Sequence, residues 1–268
     1  MTGTLVCVHA HPDDESLFTA GATSRYGDAG HDVVLVTCTQ GQLGIDAGGR
    51  AGVEPGHDDL DTAATRAAEL RRAADLIGVT RCVSLGFLDS GLPGWAANDD
   101  PRAFVNSDVE RVAHTLAALF DEVSATVVLT YDADGFYGHP DHIQANRVTR
   151  RAVELARHVE RLYYPVAPLR VIEEFVPIAR ARGVALPEWV VRAVGVGDNV
   201  VATTIDARSL VARKRAAIAA HESQIDNGDL VTMDDDLFSL LFGVEYYQLA
   251  WSRHDAVGHA TDLLGGLE

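Results

Sequence analysis

The chain has 268 residues, 47% of them hydrophobic, and carries 22 basic against 39 acidic side chains, a net charge of −17. That length and composition suit one large α/β domain, while the acidic balance argues against nucleic acid or an anionic membrane as partner, since both want a basic patch. No basic leader precedes a long apolar run and no stretch reaches transmembrane length, so the expected location is cytoplasmic.

Residues 4–9 read as a buried first strand and residues 12–28 as the helix after it, stopped at Gly30. Residues 32–37 form a β-branched second strand. The stretch 39–60 is rich in Gly and Asp with little periodicity, and loops of that length are often functional. An amphipathic helix is expected over 61–77, with Ala64, Ala67, Ala68, Leu70, Ala74 and Ile77 available for its buried side and Gly78 as its stop. A short strand at 81–85, an irregular region at 86–104, a helix at 106–123, a strand at 125–131, a helix at 140–157 and a strand at 161–165 follow. This alternation predicts a Rossmann-like, mostly parallel sheet with helices on both faces. Residues 1–165 would be the α/β core, and 166–268 a C-terminal extension over the substrate side within the same domain. In the extension, helices are expected at 169–182 and 207–221, β structure at 189–204 and a late strand at 245–251. Cys7, Cys38 and Cys82 lie in or beside apolar runs without paired spacing, and read as small buried core residues.

The chemistry-bearing stretches are His-Pro-Asp-Asp-Glu at 11–15 and His-Pro-Asp-His at 139–142, each directly after a strand. A residue before proline is pushed out of the helical region, and proline suits the first position of a helix. His11 and His139 should therefore sit on strand-end loops, with Asp14 and His142 in the first turns of the following helices. If the two strands are neighbours, His11, Asp14 and His142 can converge on one cation and leave positions open, as catalytic zinc requires. Ligands of doubly wound sheets bind at these strand ends. Asp13 either takes a proton from water beside such an ion or is an ordinary first-turn acid. Tyr137 either polarises a carbonyl or faces solvent. Asp141 suits a hydrogen bond to a ligand histidine. Glu15 and Ser16 read as helix support, and His221 either lines the entrance or packs.

These stretches resemble the zinc-dependent deacetylases of the LmbE and N-acetylglucosaminyl-phosphatidylinositol de-N-acetylase superfamily over most of the chain. Also similar are Thr37-Cys38-Thr39, Asp89-Ser90-Gly91, Thr130-Tyr131-Asp132, Tyr137-Gly138, Pro187-Glu188-Trp189 and Thr261-Asp262-Leu263-Leu264. The resemblance is nearest to the mycothiol-pathway branch, which removes acetate from an N-acetylglucosaminyl-inositol. It implies zinc, or Fe2+ in its place, on His11, Asp14 and His142, with Asp13 as general base. It further implies that His139 orients Asp13 and stabilises the oxyanion, and that Arg66 and Asp89 hold sugar or inositol hydroxyls; for Arg66 a solvated helix face is the competing reading. The partner implied is a small N-acetylated amino sugar, with homo-oligomerisation left open. The chain departs from that branch at residues 40–45, Gln-Gly-Gln-Leu-Gly-Ile, where the branch carries acids. Mycothiol S-conjugate cleavage and antibiotic-sugar deacetylation are the neighbouring alternatives. A dinucleotide-binding oxidoreductase would need G-x-G-x-x-G in the first turn, and a serine hydrolase G-x-S-x-G; neither is there.

Overall fold

A computed structural model describes residues 3–186, 195–224, 228–254, 260–265 and 267. The Pro187-Glu188-Trp189 stretch and the start of the β structure expected at 189–204 lie outside the described residues. The elements in chain order are β1 (Thr4–His9), α1 (Asp14–Phe18), α2 (Ala20–Asp28), β2 (Asp32–Thr39), α3 (Asp59–Leu76), β3 (Arg81–Phe87), α4 (Val109–Glu122), β4 (Ala125–Leu129), the single turn α5 (Gly135–Gly138), α6 (Pro140–Leu155), β5 (Arg161–Val166), α7 (Leu169–Ala181), β6 (Thr203–Asp206), α8 (Val211–Ala219), α9 (Gly228–Thr232), α10 (Asp235–Phe242) and β7 (Val244–Ser252).

The strands form one sheet in the order β3-β2-β1-β4-β5-β7-β6. The first five run parallel; β7 and β6 complete one edge antiparallel. Side chains alternate across a strand, and β1 shows the consequence: Val6 and Val8 enter a core shared with α4 and α6, while Leu5 and Cys7 enter a second core with α2 and α3. The sheet is thus covered on both faces, as the strand–helix alternation implies. Cys7 and Cys38 are buried, but Cys82 is exposed, contrary to the expectation from its apolar neighbours. It lies on the edge strand β3, whose alternating positions face solvent.

The helix expected over 12–28 is broken at Thr19, whose backbone leaves the helical region at φ −134°. The Thr19 hydroxyl lies 2.9 Å from His9 Nε2 and donates to the Glu15 carbonyl. The restarted helix α2 has its first amides satisfied from far along the chain: Gly21 and Ala22 donate to the Glu245 carboxylate at 2.7 and 2.8 Å. Lys214 Nζ and Tyr247 Oη also donate to Glu245, at 2.8 and 2.7 Å, all in a buried setting. A Cβ on Gly21 would fall 2.7 Å from the Ala207 Cβ and 2.8 Å from the Glu245 carboxyl carbon, so only glycine admits this close approach. The third helix also differs from its simplest reading: its buried side carries Arg66 and Glu69 beside Leu70, Ala73 and Ala74. Among the described residues, no helix is long and apolar enough to cross a membrane.

Replacing Glu245 with Ala would strand the Lys214 ammonium and two helix amides in the interior. Removal of one partner of a buried pair costs about 3–5 kcal/mol. Glu245→Ala should therefore lose roughly that much in denaturant unfolding, whereas the exposed pair partner Glu122, replaced by Ala, should lose about 1 kcal/mol or less.

Candidate metal centre and catalytic cleft

Strands β1 and β4 are neighbours, with Cys7 opposite Leu129, so the chain leaves both at the same edge of the sheet. His11 and His139 follow, and the structure brings the two His-Pro steps together: the His11 ring centroid is 4.5 Å from that of His139 and 5.3 Å from that of His142. Ligand nitrogens of all three lie within 4.8 Å of one another, and His11, Asp89, His139 and Asp141 make a second, overlapping group of the same kind. Asp14 bridges two of the imidazoles, with Oδ2 3.4 Å from His11 Nδ1 and Oδ1 3.4 Å from His142 Nε2.

Each of these groups is held from behind. His142 Nδ1 lies 3.2 Å from the Gly135 carbonyl oxygen, the arrangement in which Nδ1 carries the proton. Its Nε2 then presents a lone pair, buried and without a hydrogen-bond partner. Gly135 makes this approach with φ +66°, and a Cβ there would lie 2.9 Å from the His142 Cβ. Tyr131 stacks on His142 at 3.9 Å, donates to Asp14 Oδ2 at 2.6 Å and accepts from the Ala10 amide. Asp14 Oδ2 also accepts the His11 amide at 2.8 Å, so Oδ1 is the oxygen left for other use. His11 Nε2 lies 3.2 Å from Asp141 Oδ2, and Asp141 in turn accepts from the amide and hydroxyl of Ser90. His139 caps α6, its Nδ1 accepting the Asp141 amide, which leaves the proton on Nε2.

The electrostatics suit a cation. Burial opposes charge on His11, but Asp89, Asp14 and Asp141 around it outweigh that and hold its pKa well above the usual imidazole range. Burial likewise opposes ionisation of Asp14, yet His142 and His11 hold its carboxyl far below the ordinary value. For His139, burial and the two neighbouring imidazoles depress the pKa well below 6.5 and favour the neutral ring. An orphaned imidazole lone pair facing a free carboxylate oxygen, with further acids around it, is a donor set that fits a divalent N/O-ligated metal.

Asp13 stands apart. Its backbone has φ 127°, a region an L-residue adopts at a cost of order 1–3 kcal/mol. The amide of Asp13 donates to Glu15 Oε2 at 2.9 Å, and Glu15 is fixed by Ser16 and by His221 Nε2 at 2.7 Å. Arg66 closes the turn: its guanidinium donates to the carbonyls of Pro12 and Gly41 and lies 3.1 Å from Asp13 Oδ1. Burial raises Asp13 to about 6 against the pull of Arg66.

A cleft of about 280 Å³ opens above these groups. His11, Asp13, Asp14, His139 and Tyr137 form its floor with Leu17 and Phe18; Arg66 and Asp89 stand in its wall, and Leu43, Ile45, Leu92 and Trp95 line it as well. The Tyr137 hydroxyl makes no hydrogen bond among the described residues, and burial raises its pKa well above 10. The side chain of Arg66 is buried rather than a solvated helix face. His221 is also buried; it packs under the cleft against Glu15 and does not line the entrance. Sequence reasoning missed the supporting roles of Tyr131, Ser90 and Gln42, whose amide side chain pairs with the Asp89 backbone. Two of the three lie inside stretches flagged by resemblance; Gln42 left no signal beyond its place in an irregular loop.

A Rossmann-like sheet whose switch point holds a histidine–carboxylate cluster defines a metal-site α/β protein of the LmbE type. The description "PIG-L: GlcNAc-PI de-N-acetylase" matches residues 6–153, and the chain belongs to that family. A 1D-myo-inositol 2-acetamido-2-deoxy-alpha-D-glucopyranoside deacetylase of Acidothermus cellulolyticus is 38% identical, over 100% of this chain and 96% of its own. Among solved structures, a deacetylase of teicoplanin biosynthesis superposes with TM-score 0.62 at 18% identity, covering 94% of this chain and 100% of that one. The 4-carboxy-2-hydroxymuconate hydratase GalB of Pseudomonas putida does so with TM-score 0.60 at 17% identity, covering 95% and 98%. These structural likenesses establish the fold alone.

Substitution of His11, Asp14 or His142 by Ala should each leave protein purified from metal-supplemented medium with well under half the metal of the wild type, read by elemental analysis. Asn in place of Asp89 should retain most of it. Undiminished metal in all three Ala variants would remove the assignment.

Proposed function

We infer that this chain is a metal-dependent N-deacetylase that hydrolyses the acetamide of an N-acetylglucosamine-type substrate, with N-acetylglucosaminyl-inositol as the best candidate. The observation that carries the reading is the convergence of His11, Asp14 and the buried His142 beside a cleft that Asp13, His139 and Tyr137 line together with His11 and Asp14. The curated relatives named as deacetylases of that inositol glycoside, such as the one from Acidothermus cellulolyticus, support the substrate. Zinc suits two imidazoles and a carboxylate, and ferrous iron is the alternative.

A divalent cation on His11, Asp14 and His142 supplies Lewis acidity toward water and a carbonyl oxygen. The rest falls to the chain. Arg66 holds Asp13 Oδ1, so the other carboxylate oxygen takes the proton from the attacking water. As the C–O bond forms, charge develops on the former carbonyl oxygen, and the Tyr137 hydroxyl and His139 Nε2–H, both in the cleft lining, are the donors assigned to meet it. Collapse breaks the C–N bond, and the proton held on Asp13 passes to the departing nitrogen, giving amine and acetate. Arg66 and Asp89 in the cleft wall suit a neutral polyol, since they offer charged donors and acceptors to hydroxyls. In the stretch 40–45, where the resemblance leads to an expectation of acids, Leu43 and Ile45 line the cleft, as does Trp95. That apolar lining favours, as a second reading, cleavage of a bulkier amide such as a mycothiol S-conjugate.

The test is amine release from N-acetylglucosaminyl-inositol, from N-acetylglucosamine and from a mycothiol S-conjugate. Far faster turnover of the conjugate than of either sugar would replace the deacetylase reading. Asp13→Asn should keep its metal and lose about a hundredfold or more in kcat; near-normal turnover with metal bound rules Asp13 out as base.

Activity should also fall on the acid side. A base works deprotonated, so rate is present above the Asp13 pKa and lost as pH drops through it. Burial places that pKa at about 6, and a nearby cation lowers it; the acidic limb of kcat/KM should therefore lie at or below about pH 6. Arg66→Ala should lower kcat as well as raise KM, because it releases the turn that carries Asp13. An effect on KM alone would make Arg66 a substrate contact only.

A further inference from the structure

We propose that Leu17 and Phe18 set the length of acyl group the enzyme accepts, by closing the catalytic cleft off from a second, apolar chamber. The inference rests on the deacetylase reading above. The chamber, of about 80 Å³, lies behind α1, where Pro165, Val171, Ile172 and Phe242 supply apolar wall. Leu17 and Phe18 line both this chamber and the cleft. The Phe18 ring stands 6.2 Å from that of His142 and 4.8 Å from that of Phe136, a chamber residue.

An N-acyl sugar with its carbonyl carbon above Asp13 and Tyr137 extends two arms of opposite chemistry. The sugar finds charged partners in Arg66 and Asp89. The acyl chain carries no polar group, and beside the histidine cluster the apolar surface is that of Leu17 and Phe18. An acetyl methyl ends against this surface. Each further methylene requires the space behind it. The chamber's charged members, Lys214 and Glu245, are bonded to each other at 2.8 Å, so a hydrocarbon chain entering it strips no partner from either.

The experiment compares N-acetyl, N-butanoyl and N-hexanoyl glucosaminyl-inositol as substrates of the metal-loaded wild type, Leu17→Ala and Phe18→Ala. Wild type should prefer acetyl over butanoyl by at least about tenfold in kcat/KM, the scale on which a hydrophobic pocket discriminates methylenes. Opening the wall should shrink or reverse that ratio. Adding Ile172→Trp to Phe18→Ala refills the chamber and should restore the preference for acetyl. Thermal melting verifies folding, and Phe18→Leu with Leu17→Ala carries the comparison if Phe18→Ala does not fold. Equal cleavage of acetyl and butanoyl by wild type, or a wild-type ratio in folded variants, overturns the proposal while acetate release leaves the deacetylase reading standing. No acyl release from any substrate by the wild type overturns both.

Discussion

The parallel pairing of β1 with β4 is the constraint on which the site depends. From β1 the sheet grows through β2 to β3 on one side, and from β4 through β5 to β7 and β6 on the other. Connections leave that junction in opposite directions, so a crevice stays open above the ends of these two strands. Both His-Pro turns empty into it. Proline bars the helical conformation from the histidine before it, and His139 accordingly sits at φ −67°, ψ 131° with its ring capping α6. A strand order that separated β1 from β4 would leave two ordinary helix caps and no cluster.

Four aspartates with different environments then divide the work. Asp14, Asp89 and Asp141 each accept a backbone amide at 2.8 Å, from His11, Gly91 and Ser90 respectively. Such bonds stabilise the charged carboxylate; at Asp14 the two histidines prevail over burial and keep the pKa low, and at Asp89 His11 does so with the Gly91 amide. The Asp13 carboxylate meets Arg66 instead, and burial wins there, leaving it near 6. A group poised in that range exchanges protons near neutrality, whereas Asp14 and Asp89 remain anionic. Neighbouring residues of the same type thus acquire opposite proton affinities through their surroundings, the difference that the proposed ligand and base roles require.

Much of this was legible beforehand. The two His-Pro turns after strands followed from apolar runs and proline geometry, their convergence hung on β1 and β4 being neighbours, which the sheet order supplies, and the observed strands begin where periodicity placed them at Thr4, Asp32, Arg81, Ala125 and Arg161. The break at Thr19 was not legible, because residues 12–28 are locally compatible with one helix; the interruption comes from His9 and Glu245, which are distant or on another element. The inward turn of Arg66 and Glu69 was hidden for the same reason. Alanines at 64, 67 and 68 offer an equally good apolar side, and what draws Arg66 inward is the carbonyls of Pro12 and Gly41. Cys82 reads as core by its neighbours, and only the position of β3 at the sheet edge exposes it.

The break at Thr19 also explains why the C-terminal third matters to chemistry at the other end of the chain. A five-residue α1 points Asp14 into the cluster and sets Leu17 and Phe18 between cleft and chamber. A helix that short is not stable alone. It is held at its start by Glu15, which bonds the strained Asp13 amide and is itself fixed by His221. At its end, Glu245 accepts the amides that open α2. Both anchors come from beyond residue 200, so the proposed ligands lie between His11 and His142 while the last quarter of the chain, together with Arg66, fixes the Asp13 turn. This arrangement accounts for a late segment that reads as an appendage in sequence yet adds β6 and β7 to the same sheet and buries His221, Lys214 and Glu245 beneath the cleft.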